Sequence, residues 1–320
     1  MKKNIAVVGC GHWGKNLVRN FAELGALVAV CDPNDELAKM YAKEYNVDNL
    51  SFDAIISDAT IEGVVLAVPA PLHASMAIEV MNAGKHVYVE KPLAMNRTEA
   101  EAMIASARDN DVQLMVGHLL QYHPVFMAVR GLVESGELGS LSYVYSNRLS
   151  FGKVRSEEDV IWSFAPHDIS MILSLTGQDP EVVRAESSNI LQPDIADTAI
   201  VHMEFKSGLK AHVFVSWLHP CKEQKLVVIG DKGMAVFDDT KPWGEKLAFY
   251  RHLVELSHGL PMLEKTDVDY IDVQESEPLK NECLHFIDVV KSKASPATDG
   301  EEGLRVLSVL TEASSQIMLK

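Results

Sequence analysis

The chain has 320 residues, 47% of them hydrophobic and 23% charged, which is enough for two domains and ordinary for a globular protein. Its net charge of −16 argues against nucleic-acid and anionic-membrane partners, so an anionic ligand would need a local basic island. Cys10, Cys31, Cys221 and Cys283 show no Cys-x-x-Cys pair and no metal-ligand spacing; no metal is expected, and a reducing cytoplasm fits. Lys2-Lys3 precede an apolar run that His12, Lys15, Asn16 and Arg19 cut short, so neither a signal peptide nor a membrane span is expected.

Residues 4–8 read as an apolar strand running into the turn Gly9-Cys-Gly-His-Trp-Gly14. A helix follows on the stripe Leu17, Val18, Phe21 and Leu24, closed by Gly25, and residues 27–32 form a second strand ending in Asp32. Asp35 caps the next helix. Strands over 63–68, 86–90 and 112–116 alternate with helices over 72–81 and 98–107, the pattern of a parallel sheet. After Tyr122-His123-Pro124 the order changes. A helix over 125–134, a long strand over 140–149, a polar loop over 151–160 and a helix over 167–175 come next. Strands over 182–189, 197–205, 211–217, 225–229 and 234–237 follow, punctuated by Gly208, Pro220, Gly230 and Gly233. Helices over 281–290 and 303–318 close the chain. The expected fold is α/β: a dinucleotide-binding domain over 1–120, and an α+β domain on an open, mostly antiparallel sheet over 121–320.

The opening strand, turn, helix and acid have the order a dinucleotide site requires. Gly9 makes the tight turn and Gly11 leaves bare backbone for a pyrophosphate. Gly14 lets the helix pack close, and His12 and Trp13 complete the loop. Asp32 stands where an acceptor for the ribose hydroxyls is expected and would repel a 2′-phosphate, which favours NAD over NADP. Pro69 and His73, and then Glu90-Lys91-Pro92, leave parallel strands at their carboxyl ends, where open α/β sheets place ligands. An ammonium at Lys91 beside a cationic ring and partly buried is a candidate acid–base group, and Pro92 fixes its turn.

These segments, with Ala83-Gly-Lys-His-Val and Pro278-Leu279…Glu282…Phe286, resemble the Gfo/Idh/MocA family of NAD(P)-dependent sugar and polyol oxidoreductases over essentially the whole chain. The resemblance implies a Rossmann domain, a substrate domain whose open sheet makes homo-oligomer contacts, a catalytic Lys91, and Pro69 and Glu90 near the cofactor. The family's second motif, Asp-x-Gly-x-His-x-x-Asp, reads here Ser163-Phe-Ala-Pro-His167-Asp-Ile-Ser170. The histidine is kept, both aspartates are serines, and Asp168 follows the histidine. His167 is read as a general base at a helix start, where the helix terminus would keep it neutral.

Arg148, Lys153 and Arg155 lie within eight positions in an otherwise acidic chain, with Trp162 close behind. Guanidinium forks suit a diphosphate, and a tryptophan suits a base or sugar ring. Residues 146–170 resemble the branch of the family that oxidises UDP-N-acetylhexosamines at C3. That resemblance implies a nucleotide-sugar substrate held by Arg148, Lys153, Arg155, Trp162 and Asp168. It further implies a 3-keto product and functional coupling to an aminotransferase. Other sugar or inositol dehydrogenases, an NAD-recycling glycosidase or lyase, and a non-catalytic NAD-binding scaffold remain as alternatives.

Overall fold

The computed structural model describes residues 3–152, 154–257 and 260–317. Two compact units emerge, one formed by Met1–Tyr122 with Glu277–Leu307 and the other by His123–Ser276 with Ser308–Lys320.

In the first unit, strands β1 (Ile5–Val8), β2 (Leu27–Cys31), β3 (Asp48–Asn49), β4 (Gly63–Leu66), β5 (His86–Val89) and β6 (Leu114–Val116) form one sheet. Its order is β3-β2-β1-β4-β5-β6, and every pairing is parallel. Helices α1 (Gly14–Glu23), α2 (Asp35–Tyr45), α3 (Phe52–Ser57), α4 (His73–Asn82) and α5 (Arg97–Asp109) connect the strands. β1, β4, β5 and β6 are buried at every position, as strands covered on both faces must be. The short pair β3 and α3 carries too little periodicity to be read from the sequence.

In the second unit, α6 (Pro124–Glu134), β7 (Leu141–Phe151) and α7 (Val160–Thr176) precede a run of strands. These are β8 (Pro180–Ser188), β9 (Thr198–Phe205), β10 (Lys210–Ser216), β11 (Leu218–Gly230), β12 (Met234–Asp238) and β13 (Leu247–Tyr250), with a β14–β15 hairpin (Leu253–Ser257, Leu260–Glu264) and β16 (Asp269–Tyr270). The eight-stranded sheet has the order β16-β13-β12-β11-β7-β10-β9-β8 and is antiparallel except where β7 meets β10. Alternation along β7 decides the faces: Val144 and Ser146 are buried, while Tyr143, Tyr145 and Asn147 are half-buried. α7 packs against β7, β9 and β10.

Besides the cap of α2, which Asn34 rather than Asp35 supplies by accepting from the Leu37 amide at 3.3 Å, two expectations need correction. The helix expected over 167–175 begins at Val160, because Asp159 caps it by accepting from the amides of Ile161 and Trp162. Pro166 lies inside α7, where burial of both flanking apolar runs outweighs its missing amide. His167 is therefore mid-helix, and no helix terminus acts on its imidazole. The second correction concerns residues 277–307, which do not belong with the C-terminal unit. Leu279, Cys283, Phe286, Ile287 and Val290 of α8 (Pro278–Ser292) join the apolar core of the first sheet and α1. Phe286 meets Phe21 edge-on at 6.2 Å and Tyr88 at 5.8 Å. α9 (Gly300–Ile317) belongs to the first unit through Leu307 and to the second from Ser308; residue 318, at the end of the expected helix, lies outside the described residues.

Candidate active site

The glycine turn is shaped by close backbone approach. Gly9 adopts φ +94°, and a Cβ there would sit 2.3 Å from the Ala67 carbonyl oxygen; one at Gly14 would sit 1.9 Å from that of Gly9. Gly11 instead faces open space, with nothing within 4 Å of a built Cβ. α1 begins without a side-chain cap. Bare backbone beside an uncapped helix start fits a pyrophosphate, which takes up the first-turn amides. Asp32 does more than wait for a ribose. Its Oδ2 accepts from the Cys10 amide at 2.6 Å and its Oδ1 from the Asn34 amide at 2.8 Å, so it also fastens the turn, with lone pairs left for hydroxyls.

Beside this turn, Trp13 Nε1 donates to Glu90 Oε1 at 2.6 Å. The Tyr88 hydroxyl donates to the same oxygen at 3.2 Å, and the Lys91 amide donates to Glu90 Oε2 at 3.3 Å. Burial raises the Glu90 pKa against these donors and the nearby Lys91 charge. The Lys91–Pro92 peptide is cis. Pro69 precedes a short 3-10 turn, and His12 is exposed on the glycine loop. His73, expected to touch the cofactor, does not present itself to one. It is 1% exposed, with Nδ1 at 2.7 Å from the Pro92 carbonyl and Nε2 at 3.0 Å from that of Val68. It straps the Glu90–Pro92 turn to the end of β4, and burial lowers its pKa against the pull of both carbonyls.

A cavity of 940 Å³ lies at the other end of this sheet, lined by Asn4, Glu62, Lys85 and His86 at the amino ends of β1, β4 and β5. Its buried Lys85 donates to the Asp58 and Ile61 carbonyls at 2.6 and 2.8 Å, a structural strap. The chemistry-bearing residues stand at the carboxyl ends instead.

In the second unit, Arg148 and Asp168 do not wait for substrate; they hold each other. Arg148 Nε meets Asp168 Oδ2 at 2.5 Å and Nη2 meets Oδ1 at 3.2 Å, while Ser146 also donates to Oδ1. Asp168 is 1% exposed. Gln224, its amide oriented to satisfy both neighbours, accepts from Arg148 Nη1 at 3.3 Å and donates to Asp239 Oδ2 at 3.2 Å. Asp239 in turn pairs with Lys246 and lies 3.4 Å from His123 Nε2. Burial pushes the Asp239 carboxyl up, but His123 and Lys246 together outweigh it and hold it at about 2. The expectation that Arg148 and Asp168 bind the substrate is thus replaced by an internal polar network. One residue of spacing explains this: Asp168 is turned about 100° from His167 around α7 and points into the sheet.

Arg155 is exposed and paired with Glu158 at 2.9 Å, an arrangement that surrenders easily to a better anion. Trp162 is half-buried in the first turn of α7, and His167 is half-buried two turns along. Lys153 lies outside the described residues. Trp217 is core, donating to Asp197 at 2.6 Å. His118 pairs with Glu302, His123 caps α6, and His219 contacts the Cys221 carbonyl. Sequence reasoning missed Gln224, Asp239 and Lys246, which carry no motif. It also missed the burial of Glu282, although that acid stands in the apolar stripe of α8 and could have been noticed there. Among the described residues no cluster of metal-ligating side chains occurs, and no helix is long and apolar enough to cross a membrane.

Two family models match consecutive parts of the chain. Residues 3–118 match the GFO/IDH/MocA oxidoreductase family, NAD-binding Rossmann fold, and residues 126–236 match the GFO/IDH/MocA C-terminal domain. The chain belongs to the Gfo/Idh/MocA oxidoreductase family. It is an NAD-binding dehydrogenase-type enzyme acting on a CH–OH group. Among its Gfo/Idh/MocA relatives, UDP-N-acetylglucosamine 3-dehydrogenase of Acidithiobacillus ferrooxidans is 28% identical over 311 residues, covering 94% of this chain and 93% of that protein. Inositol 2-dehydrogenase of Rhizobium meliloti is 25% identical, covering 100% and 98%. The solved structure of the Acidithiobacillus enzyme superposes with a TM-score of 0.86 at 26% identity, covering 99% of this chain and 98% of that one.

Proposed function

We propose that this protein is an NAD-dependent dehydrogenase of a nucleotide sugar, with UDP-N-acetylglucosamine oxidised at C3 to the 3-keto sugar. The observation that carries this reading is the likeness to UDP-N-acetylglucosamine 3-dehydrogenase, which runs through both units in sequence and in structure. NAD, when bound, accepts the hydride from the carbinol carbon. Gly9, Gly11 and Gly14 shape its pyrophosphate site, and Asp32 selects it over NADP by repelling a 2′-phosphate. Lys91 and His167 share the acid–base work on the sugar hydroxyl, Lys91 polarising the oxygen and His167 removing its proton. Arg155 reads the diphosphate by exchanging Glu158 for phosphate oxygens, and Trp162 flanks the sugar or base.

Serine at positions 163 and 170, in place of the carboxylates of the polyol-oxidising pattern, supports a nucleotide sugar over a free polyol. A 3-keto sugar is a substrate for transamination, so coupling to an aminotransferase in envelope-glycan synthesis in the cytoplasm completes the reading. The half-buried aromatic face of the large sheet, where Tyr145 stacks on His212 at 5.1 Å, supports homo-oligomer contacts through that sheet.

The test is NADH formation with UDP-N-acetylglucosamine, free N-acetylglucosamine and myo-inositol compared side by side. Turnover of the nucleotide sugar alone is the expected result. Turnover of inositol alone would replace this reading with that of the inositol dehydrogenases, and NAD binding without turnover of any sugar would favour a scaffold.

A further inference from the structure

Glu282 stands on α8 among Leu279, Cys283, Phe286 and Val290, all buried. It is itself fully buried, and neither carboxyl oxygen makes a hydrogen bond of ordinary geometry among the described residues, although the Tyr88 hydroxyl faces them. An ionised carboxylate in that position would cost several kcal/mol even after relaxation. A buried polar group left so calls for an explanation.

Among the described residues the groups that act on it are acids and a hydroxyl. From β5 the Tyr88 hydroxyl and Glu90 face it, and Glu302 acts on it from α9, itself paired with His118. Tyr122 faces it from the 3-10 turn over 119–122, and Cys283 lies on its own helix. Burial first, and then the charge of Glu90, push the carboxyl well above the ordinary range. The placement follows from helix geometry: Phe286, one turn further along the same face of α8, meets the Tyr88 ring edge-on at 5.8 Å. Tyr88 has a single proton, directed to Glu90 Oε1 at 3.2 Å, and its oxygen is left to accept.

We propose that Glu282 is a positioning residue held as the neutral carboxylic acid, which directs its proton to Tyr88 and so keeps the negative charge of the pair on Glu90, beside Lys91. With Glu282 neutral, Tyr88 is committed to donating to Glu90. Glu90 then holds Trp13 of the glycine turn and the Lys91 amide at once. The proposal rests on the reading of Lys91 as an acid–base group, and its tests separate the two.

Infrared spectra of the full-length protein near neutral pH should show a protonated-carboxyl stretch that vanishes in Glu282→Gln. Stability should follow the same logic. A carboxyl with a raised folded pKa keeps a proton that the unfolded chain releases above about pH 4.3. Native stability therefore falls as pH rises through the window from that value to the folded one, and Glu282→Gln should lose that one-proton slope. The Gln amide still donates to Tyr88, so kcat should stay within about twofold of native, whereas Glu282→Leu should lose about tenfold in kcat and shift the pH profile. An unchanged carboxyl band, or parallel stability curves, would overturn the neutral acid. Native kcat and pH profile in Glu282→Leu, with Lys91→Ala inactive, would overturn the positioning role alone. Near-native turnover in Lys91→Ala would instead remove the functional reading and leave the neutral acid standing.

Discussion

In the first unit most of the contacts that shape the site run to backbone atoms: Asp32 to the amides of Cys10 and Asn34, His73 to the carbonyls of Val68 and Pro92, Gly14 against the Gly9 carbonyl, with Trp13 and Tyr88 on Glu90 as the side-chain exceptions. In the second unit they run between side chains: Asp168 to Arg148, Trp217 to Asp197, Asp239 to Lys246. Backbone partners exist whatever residue occupies a position, so a turn built on them needs few particular side chains. A side-chain network needs every member. The first arrangement suits a cofactor common to a whole family, and the second suits the half of the molecule in which substrates differ.

The largest effect expected in either region is catalytic. Lys91→Ala in the first unit and His167→Ala in the second should each lower kcat by about 10²–10⁴-fold, the usual contribution of a general acid or base. NAD titrations should show binding retained in both, and near-native turnover of either variant would remove that residue from the mechanism.

Asp168→Asn sharpens the contrast through stability. Removing one partner of a buried pair typically costs about 3–5 kcal/mol, because the other charge is left uncompensated. Chemical denaturation should register a loss of that order, with Arg148 stranded beneath α7. A loss near zero would mean that the network is dispensable and that the second unit tolerates exchange as freely as a surface.

Arg155→Ala should weaken UDP and UDP-N-acetylglucosamine alike by about tenfold, the lower end of what a charge-assisted hydrogen bond contributes. Calorimetry should find free N-acetylglucosamine unaffected. Unchanged UDP affinity would place the diphosphate elsewhere in the protein.

A further effect concerns acid. Asp239 is held at about 2 in the folded protein, below its value of 3.8 when unperturbed. A depressed carboxyl stabilises the folded state above its unfolded pKa, and that contribution is lost as pH falls through the folded one. Native protein should therefore lose about 2 kcal/mol between pH 5 and pH 2 that Asp239→Asn does not lose, at about 1.4 kcal/mol per pKa unit. Melting curves of both proteins over that range provide the check.

The parallel half was legible because its grammar is local: a strand, a glycine turn, a helix stripe and an acid follow one another within Asn4–Asp32. The start of α7 was not, for the opposite reason: Pro166 lies mid-helix. Proline marks helix starts by local chemistry, and only the apolar contacts of α7 with the sheet keep it inside. The residues of α8 likewise show their apolar stripe in the sequence but not the core that receives it.

The sequence by itself determined that the first sheet is parallel, the glycine turn with Asp32, and the Glu90–Lys91–Pro92 segment, since each follows from backbone conformation or from residues close along the chain. Tertiary structure decided that His73 straps a turn, that Arg148 and Asp168 face each other, and that residues 277–307 return to the first unit. It also decided that Glu282 lies buried under Tyr88. Each of those depends on which groups meet in space beyond their immediate neighbours in the chain, and such meetings are set by packing, to which spacing along the chain is blind.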